Sequence, residues 1–324
     1  MIFSSFIKKL HLWISGCGRI YKVISNFLPI TALKRNSLLK IIKSLKTTRL
    51  GRLVQLVALL PLLALTFLPQ PTFQDVVQDT TATGHGESPN RLRTVVLDAG
   101  HGGKDPGAMG RRSREARINL QLALLVGQKI KSQMPEVRVI YTRTTDRFIE
   151  LAERSSIANR SKADLFISIH CNANPRSSRI YGTETYTMGL HKTEGNLEVA
   201  KRENAVILQE ANYQQTYKGF NPDSPLAHIM LANYQHAFMG SSINFAQKVE
   251  RSFRTNADRL SNGVKQAGFL VLWRTTMPSV LIESGYLTNP AEEQYLLSET
   301  GQDQISTAIV KAFRQYKQEI EAAN

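Results

Sequence analysis

The chain has 324 residues, 42% of them hydrophobic and 21% charged, and two cysteines. This composition is typical of a globular protein, and it excludes a disulfide scaffold and a four-cysteine zinc site. The net charge of +15 is concentrated at the front, because eleven of the 41 basic residues lie in residues 1–52, before the first acid, Asp75. The other 30 basic residues face 26 acidic ones. The charge therefore gives no support to nucleic acid as a partner.

An apolar segment follows the basic leader of residues 1–52. Residues 53–68 read LVQLVALLPLLALTFL and carry no charge, and a basic stretch before an apolar one is typical of an export signal. Sixteen helical residues would span about 24 Å, against a hydrocarbon core of about 30 Å. A cleaved signal and an uncleaved membrane anchor at residues 53–69 both fit, and the lack of an A-x-A cleavage site favours the anchor. We expect an exported protein of the periplasm or cell envelope, attached to the inner membrane if the segment is not cleaved.

Strands and helices are predicted to alternate after a polar linker at residues 70–92. In chain order, the patterns predict a strand at 94–98, a helix at 117–131, a strand at 137–142, a helix at 150–160 and strands at 165–170 and 182–189. A loosely patterned insertion at about 190–240 precedes a helix at 242–254, a strand at 279–283 and helices at 291–297 and 302–319. This alternation predicts an α/β fold, with a mostly parallel sheet flanked by helices on both faces.

Side chains able to bind a metal or move a proton stand near the ends of the predicted strands. Asp98 and His101 follow the first strand, His170 ends the third, Glu283 ends the last, and Glu115 precedes the first helix. Ligands of open α/β sheets bind beyond the carboxyl ends of the strands. Two histidines and a carboxylate form the ligand set of a hydrolytic zinc site, and a second carboxylate then moves the proton. On the pattern alone, such a site and a set of structural side chains both remain open.

Four segments resemble, in the right order, the motifs of the zinc-dependent N-acetylmuramoyl-L-alanine amidases of bacterial cell walls. They are VVLDAGHGGKDPGAMG, REARINLQLAL, YTRTTDRFIELAERSSIANRSKADLFISIHCNA and MPSVLIESGYLTNPAEEQYL. The resemblance covers about residues 93–313 and implies a catalytic domain at 93–324. The fold that it implies is a mixed sheet of about six strands between helices.

The resemblance also implies the chemistry. One zinc ion per chain would be held by His101, Glu115 and His170, and Glu283 would act as the general base and then the general acid. The substrate would be peptidoglycan, cleaved at the amide between N-acetylmuramic acid and L-alanine during cell-wall remodelling or daughter-cell separation. The alternative is a catalytically silent, amidase-like protein that binds the wall and regulates other enzymes.

Other residues are assigned with alternatives. Asn172 and Asn174 would bind substrate amides or cap the turn after their strand. Asp98 would orient a ligand histidine or satisfy the glycine turn, and we favour the turn. In some relatives an insertion at this point covers the metal until an activator displaces it. By that analogy Glu198 and Glu203 are candidate blocking carboxylates, and an activator protein is an expected partner. A surface helix that shapes the substrate groove is the alternative.

Overall fold

A computed structural model of the chain describes residues 91–232 and 238–322. The predicted leader at 1–52, the signal or anchor at 53–69 and nearly all of the linker at 70–92 lie outside the described residues. Among the helices within those two ranges, we find none with the length and apolar character needed to cross a membrane.

The described strands form one mixed sheet of six. They are β1 (Thr94–Ala99), β2 (Arg138–Tyr141), β3 (Leu165–Asn172), β4 (Thr183–Met188), β5 (Ser261–Ala267) and β6 (Ser279–Tyr286). Their order across the sheet is β2-β1-β3-β6-β4-β5. All neighbouring strands are parallel except β4 and β6, which are antiparallel. The predicted α/β fold with a mixed, mostly parallel sheet is confirmed.

Helices lie before, between and after these strands. The described helices are α1 (Glu115–Gln133), α2 (Leu151–Arg160), α3 (Glu194–Asn204), α4 (Tyr213–Thr216), α5 (Pro225–Ala232), α6 (Met239–Asn256), α7 (Leu270–Trp273), α8 (Pro290–Leu297) and α9 (Glu299–Ala322), with a 3-10 turn at Ala205–Gln209. In α1, residues 118, 122, 126 and 130 are buried, as expected of an amphipathic helix that packs on a sheet.

The two faces of the sheet have separate hydrophobic cores. On one face, α1, α6, α8 and α9 pack around strand residues such as Ile167 and Ile282. On the other, α2, α7 and the insertion pack around Phe166 and Leu281. Because side chains alternate along a strand, His170 shares the second face with Phe166. The candidate chemistry therefore lies on the face that the insertion covers.

One local feature, strand β5, differs from the prediction. Strand β5 was not predicted, because SNGVKQA lacks the β-branched and aromatic residues that indicate a strand. It forms at the edge of the sheet, where one side of the strand needs no partner. The apolar segment GFLVLW folds largely into the short helix α7, whose Leu270, Val271 and Leu272 are buried. The insertion holds helices of its own, α3 to α5.

Candidate metal centre and active site

Four buried side chains converge beyond the carboxyl ends of the central strands. His101 follows β1, Glu115 is the first residue of α1, His170 lies on β3, and Glu203 lies on α3 of the insertion. One ligand atom from each lies within 4.8 Å of the others. Three of the four are the ligands implied by the resemblance, and the fourth is one of the two candidate blocking carboxylates.

The ligand atoms point at a common centre. Nε2 of His101 lies 3.1 Å from Oε1 of Glu115 and 3.2 Å from Oε2 of Glu203. Nδ1 of His170 lies 3.1 Å from each of the same two oxygens. Yet Nε2 of His101 and Oε2 of Glu203 are buried without a hydrogen-bond partner within residues 91–232 and 238–322. Unpaired nitrogen and oxygen atoms around one point are what a tetrahedral zinc ion requires, so the residues fit that metal.

The pKa values of the side chains in this cluster are strongly shifted. Burial alone would lower the pKa of His101, but the carboxylates of Glu115 and Glu203 outweigh it and hold that pKa well above its ordinary value. His170 has a pKa of about 10, because Glu203 and Glu115 again outweigh burial. The pKa of Glu203 is about 2, since the two histidines overcome the opposing effect of burial. The two carboxylates therefore stabilise positive charge at this centre, and either protons on the histidines or a divalent cation can supply that charge.

The loop after β1 fixes the first histidine. His101 has a left-handed backbone, with φ of 59°, which is costly for a residue with a side chain. Its carbonyl accepts a hydrogen bond from Nη2 of Arg154 at 2.9 Å. Its Nδ1 lies 2.6 Å from Oδ2 of Asp105, which leaves Nε2 free to face the centre. A partner on the second ring nitrogen is usual for a histidine that binds a metal.

Two glycines of this loop allow the close approach of the ligands. A Cβ on Gly100 would overlap the imidazole of His170, and a Cβ on Gly107 would lie 2.6 Å from both Glu115 Oε2 and His101 Cδ2. Gly107 also has a φ of 66°. The glycines that end the apolar β1 segment are therefore required by the space that the ligand side chains occupy.

Glu115 is held by backbone groups of two neighbouring segments. Its Oε2 accepts from the N–H of Ala108 at 2.7 Å. Its Oε1 accepts from the N–H of Cys171 at 3.0 Å and from Nδ2 of Asn119 at 3.1 Å. The first turn of a helix also favours a negative charge. The chain thus fixes the carboxylate with one oxygen directed at the histidines.

Asp98 has a different role from the one favoured on the sequence. Rather than bonding the glycine turn or a ligand histidine, it accepts from Thr142 Oγ1 at 2.6 Å, Ser168 Oγ at 2.7 Å and Arg154 Nη1 at 2.8 Å. It therefore balances the charge of the arginine that holds the His101 carbonyl. The partner of the His101 ring is Asp105, which was not predicted from the sequence. Its position four residues after the histidine in a glycine-rich turn is the only available signal.

Glu283 lies opposite His170, its register partner across β3 and β6. It is fully buried, and neither of its carboxylate oxygens has a hydrogen-bond partner among the described residues. Burial raises its pKa well above the ordinary value, and the neighbouring charge of Glu203 raises it further, whereas His170 opposes this. A buried carboxylate that is not used structurally and lies beside candidate ligands can take up and release protons.

Glu198, the other candidate blocking carboxylate, lies outside this cluster. Its side chain is 40% exposed, and its oxygens lie 3.5 Å from Lys201 Nζ and 4.0 Å from Arg176 Nη2. Glu203 is the acid of α3 that reaches the histidines.

The two asparagines after His170 have separate environments. Asn172 is buried, and its Oδ1 accepts from Nη2 of Arg202 at 2.7 Å. Asn174 accepts from the backbone N–H of Arg176 at 2.9 Å, a contact that caps the turn after the strand. Asn172 borders the cleft beside the cluster with an acceptor directed at a side chain of the insertion.

The chain is similar in sequence and fold to known amidases. The family model described as N-acetylmuramoyl-L-alanine amidase matches residues 95–315. The N-acetylmuramoyl-L-alanine amidase AmiA of Escherichia coli (strain K12) is 30% identical over 245 residues, which cover 73% of this chain and 81% of AmiA. The solved catalytic domain of the amidase CwlV from Bacillus (Paenibacillus) polymyxa var. colistinus is 32% identical, with a TM-score of 0.51, and the match covers 69% of this chain and 98% of that one.

A further solved structure contains a second protein. It is the CwlD amidase from Clostridioides difficile in complex with the GerS lipoprotein. This amidase is 26% identical, with a TM-score of 0.50, and the match covers 69% of this chain and 98% of that one.

Proposed function

This chain belongs to the N-acetylmuramoyl-L-alanine amidase family, and we propose that it uses one zinc ion to hydrolyse the amide between N-acetylmuramic acid and L-alanine in peptidoglycan. The observation that carries the zinc proposal is the convergence of His101, Glu115, His170 and Glu203 within 4.8 Å. Family membership supports peptidoglycan as the substrate.

The residues divide the reaction between them. His101, Glu115 and His170 would hold the metal. Bound zinc supplies a Lewis acid that polarises the amide carbonyl and acidifies water. Glu283 takes the proton of the attacking water at its carboxylate and then donates it to the leaving nitrogen. Its full burial and its lack of hydrogen-bond partners among the described residues support this role, because no structural hydrogen bond has to break when the proton moves.

Glu203 would keep this site inactive in the state described. Its Oε2 lies 3.1–3.2 Å from the ligand nitrogens of both histidines, where a water or the substrate carbonyl has to bind. Its charge also raises the pKa of Glu283, after burial itself, and a protonated carboxyl is no base. One carboxylate of the insertion thus occupies the reaction centre and adds to the rise in the pKa of the base. Removal of α3 from the centre would relieve both effects.

An activator that binds the insertion would supply the energy for that movement. Helix α5 of the insertion carries the exposed apolar residues Leu226 and Met230, 64% and 62% accessible. Exposed apolar groups on a helix are a common basis for protein recognition. The GerS complex of CwlD is a precedent for a partner of a related amidase.

The site of action would be the cell envelope outside the inner membrane, since that is where peptidoglycan lies. The basic leader and the apolar segment at 53–69 support export, with or without retention as an anchor. Cell-wall remodelling or daughter-cell separation is the process that we propose. Blocking of the site until a partner arrives suits an enzyme that would otherwise cut the wall indiscriminately.

The decisive experiment analyses the products formed from purified peptidoglycan by the full-length chain in mild detergent. Wild type, Glu203→Ala and Glu203→Ala/Glu283→Gln are compared, each with added zinc and with chelator, and Glu299→Gln serves as a surface control. We expect Glu203→Ala to release free stem peptides that begin with L-alanine, and we expect chelation or Glu283→Gln to abolish their release. A folded, zinc-loaded Glu203→Ala protein that leaves the wall intact would instead establish the silent, wall-binding regulator.

A further inference from the structure

A buried carboxylate on β4, Glu184, has its hydrogen-bonding capacity fully used. Oε1 accepts from Lys265 Nζ at 2.5 Å and from the Tyr286 hydroxyl at 2.6 Å. Oε2 accepts from the Tyr186 hydroxyl at 2.7 Å and from Nδ2 of Asn172 at 3.3 Å. Burial and the charge of Glu184 raise the pKa of both phenols, so they remain protonated donors. Four donors thus surround two oxygens, which is what an ionised carboxylate accommodates.

This arrangement fixes the orientation of the Asn172 amide. Because the Glu184 carboxylate only accepts hydrogen bonds, the NH₂ end of Asn172 has to face it. The carbonyl end is then directed the other way. There Oδ1 accepts from the backbone N–H of Ala173 at 2.8 Å and from Nη2 of Arg202 at 2.7 Å. Asn172 therefore presents an acceptor, and not a donor, to the space beside it.

That space is a cleft of about 620 Å³ between the sheet and α3. Asn172, Glu184 and Tyr286 line its sheet side, and Arg202 lines it from α3. Glu184 is also the register partner of Glu283 across β4 and β6. Directly paired residues of an antiparallel pair have neighbouring side chains. The cleft thus begins next to the proposed general base.

Arg202 and Glu203 are consecutive residues of α3 and fill two adjacent positions. The carboxylate lies at the metal centre, and the guanidinium gives an N–H donor to Asn172 Oδ1. When α3 leaves, both positions become free together. A peptide bound with its scissile carbonyl at the centre would bring its own N–H groups to the second position.

We propose that Asn172 Oδ1 accepts an N–H of the stem peptide of the substrate, and that Glu184 is the positioning residue that holds the amide in this orientation. The inference rests on the proposed amidase function and extends it to the recognition of the peptide. It makes the cleft selective for hydrogen-bond donors at that point. It also makes Arg202 a substitute for the substrate N–H in the blocked state.

The test uses the full-length protein with the substitutions Arg202→Met and Glu203→Ala, which we call the released protein. These substitutions remove the contact of Arg202 with Asn172 and the contact of Glu203 with the histidines. The substrate is a soluble N-acetylmuramoyl tripeptide. In the released protein, Glu184→Gln is expected to raise KM about tenfold and to change kcat less than twofold, because the amide introduced at this position turns an N–H towards two of the former donors. In the double variant Asn172→Asp/Glu184→Gln, the amide N–H at 184 can donate to the carboxylate at 172, whose other oxygen still accepts from the substrate. This variant is therefore expected to have a lower KM than Glu184→Gln alone.

Glu250→Gln is the matched control, because Glu250 is another buried carboxylate bonded by hydroxyls, those of Thr183, Thr185 and Ser261. It should leave KM unchanged. An unchanged KM in Glu184→Gln, equal effects in both variants, or no recovery in the exchange variant would each overturn the inference.

A binding measurement separates this inference from the amidase proposal. Calorimetry of the same tripeptide with the released protein carrying Glu283→Gln is expected to give about tenfold weaker binding after Glu184→Gln. If binding weakens in this way while the released protein with Glu283 intact hydrolyses nothing, the amidase proposal fails and the assignment of Asn172 and Glu184 stands. Equal binding with and without Glu184→Gln would refute the assignment even in an active enzyme.

Discussion

Oε2 of Glu203 lies 3.2 Å from Nε2 of His101, although the two residues come from an insertion helix and from the loop after the first strand. We predict that Glu203→Ala raises the rate of wall hydrolysis about tenfold or more. The buried ion pairs of Glu203 with the two histidines favour the closed state, and a loss of about 1.4 kcal/mol already shifts a closed-to-open equilibrium tenfold. Dye release from labelled peptidoglycan measures the rate.

Glu198→Ala is the matched control for that experiment. It removes an acid from the same helix, but its partially exposed ion pairs with Lys201 and Arg176 contribute little. A rate as high as that of Glu203→Ala would mean that general loosening of α3 suffices, and it would contradict a specific block. Deletion of the insertion is a poorer test, since Glu210 and Tyr217 accept from the backbone N–H groups of Leu151 and Ala152 at the start of α2.

Asp105 is predicted to set the affinity of the metal centre. Its carboxylate lies 2.6 Å from Nδ1 of His101 and so fixes both the ring and the nitrogen that faces the centre. Loss of such a partner typically costs about 10–100-fold in metal affinity. Competition with a fluorescent zinc chelator should show this loss in Asp105→Ala. Asp303→Ala, which removes an exposed carboxylate paired with Lys129, should bind zinc as wild type does, and equal affinity of both variants would rule out the role of Asp105.

The fold was largely predictable because its central strands are buried and continuous in hydrophobic sequence. In β1 and β3 the apolar run and the polar residue that ends it are adjacent in the chain, so a position such as His170 could be located from the sequence alone. Strand β5 was not predictable from its composition, since its pairing with β4 at the sheet edge creates the strand. Short runs of polar residues form strands only when a neighbour provides the hydrogen bonds.

The missed parts of the site depend on tertiary contacts. Glu198 and Glu203 both lie on the predicted insertion, and the packing of Val199 and Ala200 of the same helix against the second core accompanies the orientation in which Glu203 faces the histidines. The partner of the His101 ring follows from the path of a left-handed turn, which hydrophobic patterns do not report. Side chains next to each other in the chain were thus easier to assign than side chains brought together by a loop.

Asp98 is predicted to contribute strongly to stability. Burial alone would raise its pKa, but the charge of Arg154 and the hydroxyls of Ser168 and Thr142 outweigh burial and lower that pKa. Asp98→Asn leaves Arg154 buried without its counter-charge, and breaking a buried ion pair costs about 3 kcal/mol or more. Urea unfolding at pH 7 should show this loss in the free energy of unfolding.

The difference in the free energy of unfolding between wild type and Asp98→Asn should depend on pH in one direction. Because the folded pKa of Asp98 is lowered, its contribution is fully present above the unfolded value of about 3.9 and is lost as the pH falls through the folded value. The gap between wild type and Asp98→Asn should therefore narrow below about pH 4. A gap that stays constant down to the acid limit would show that the carboxylate charge is not what stabilises the fold.

We predict that the Glu283 carboxylate lowers the free energy of unfolding. Its two oxygens are buried without hydrogen-bond partners in the part of the chain that the structure describes, and its pKa is raised, so its ionisation opposes folding at neutral pH. In chelator-treated protein, Glu283→Gln should increase the free energy of unfolding at neutral pH, because the amide fills the same space and never ionises. Since the folded pKa is raised, the gain should be small near the unfolded value of about 4.3 and should grow as the pH rises above it.

The substitution Glu250→Gln should instead lower the free energy of unfolding. Burial raises the pKa of Glu250 as well, but the hydroxyls of Ser261, Thr185 and Thr183 bond its carboxylate and oppose that rise. Glu250→Gln therefore removes an acceptor from bonds that already exist. Thermal melts of both variants at pH 7.5 compare a carboxylate without partners and one with three. If both variants lose stability equally, the Glu283 carboxylate is satisfied in solution and its assignment as the group kept free for proton transfer fails. If Glu283→Gln is stabilised and Glu250→Gln is destabilised, the Glu283 carboxylate lowers the stability of the fold while it serves activity.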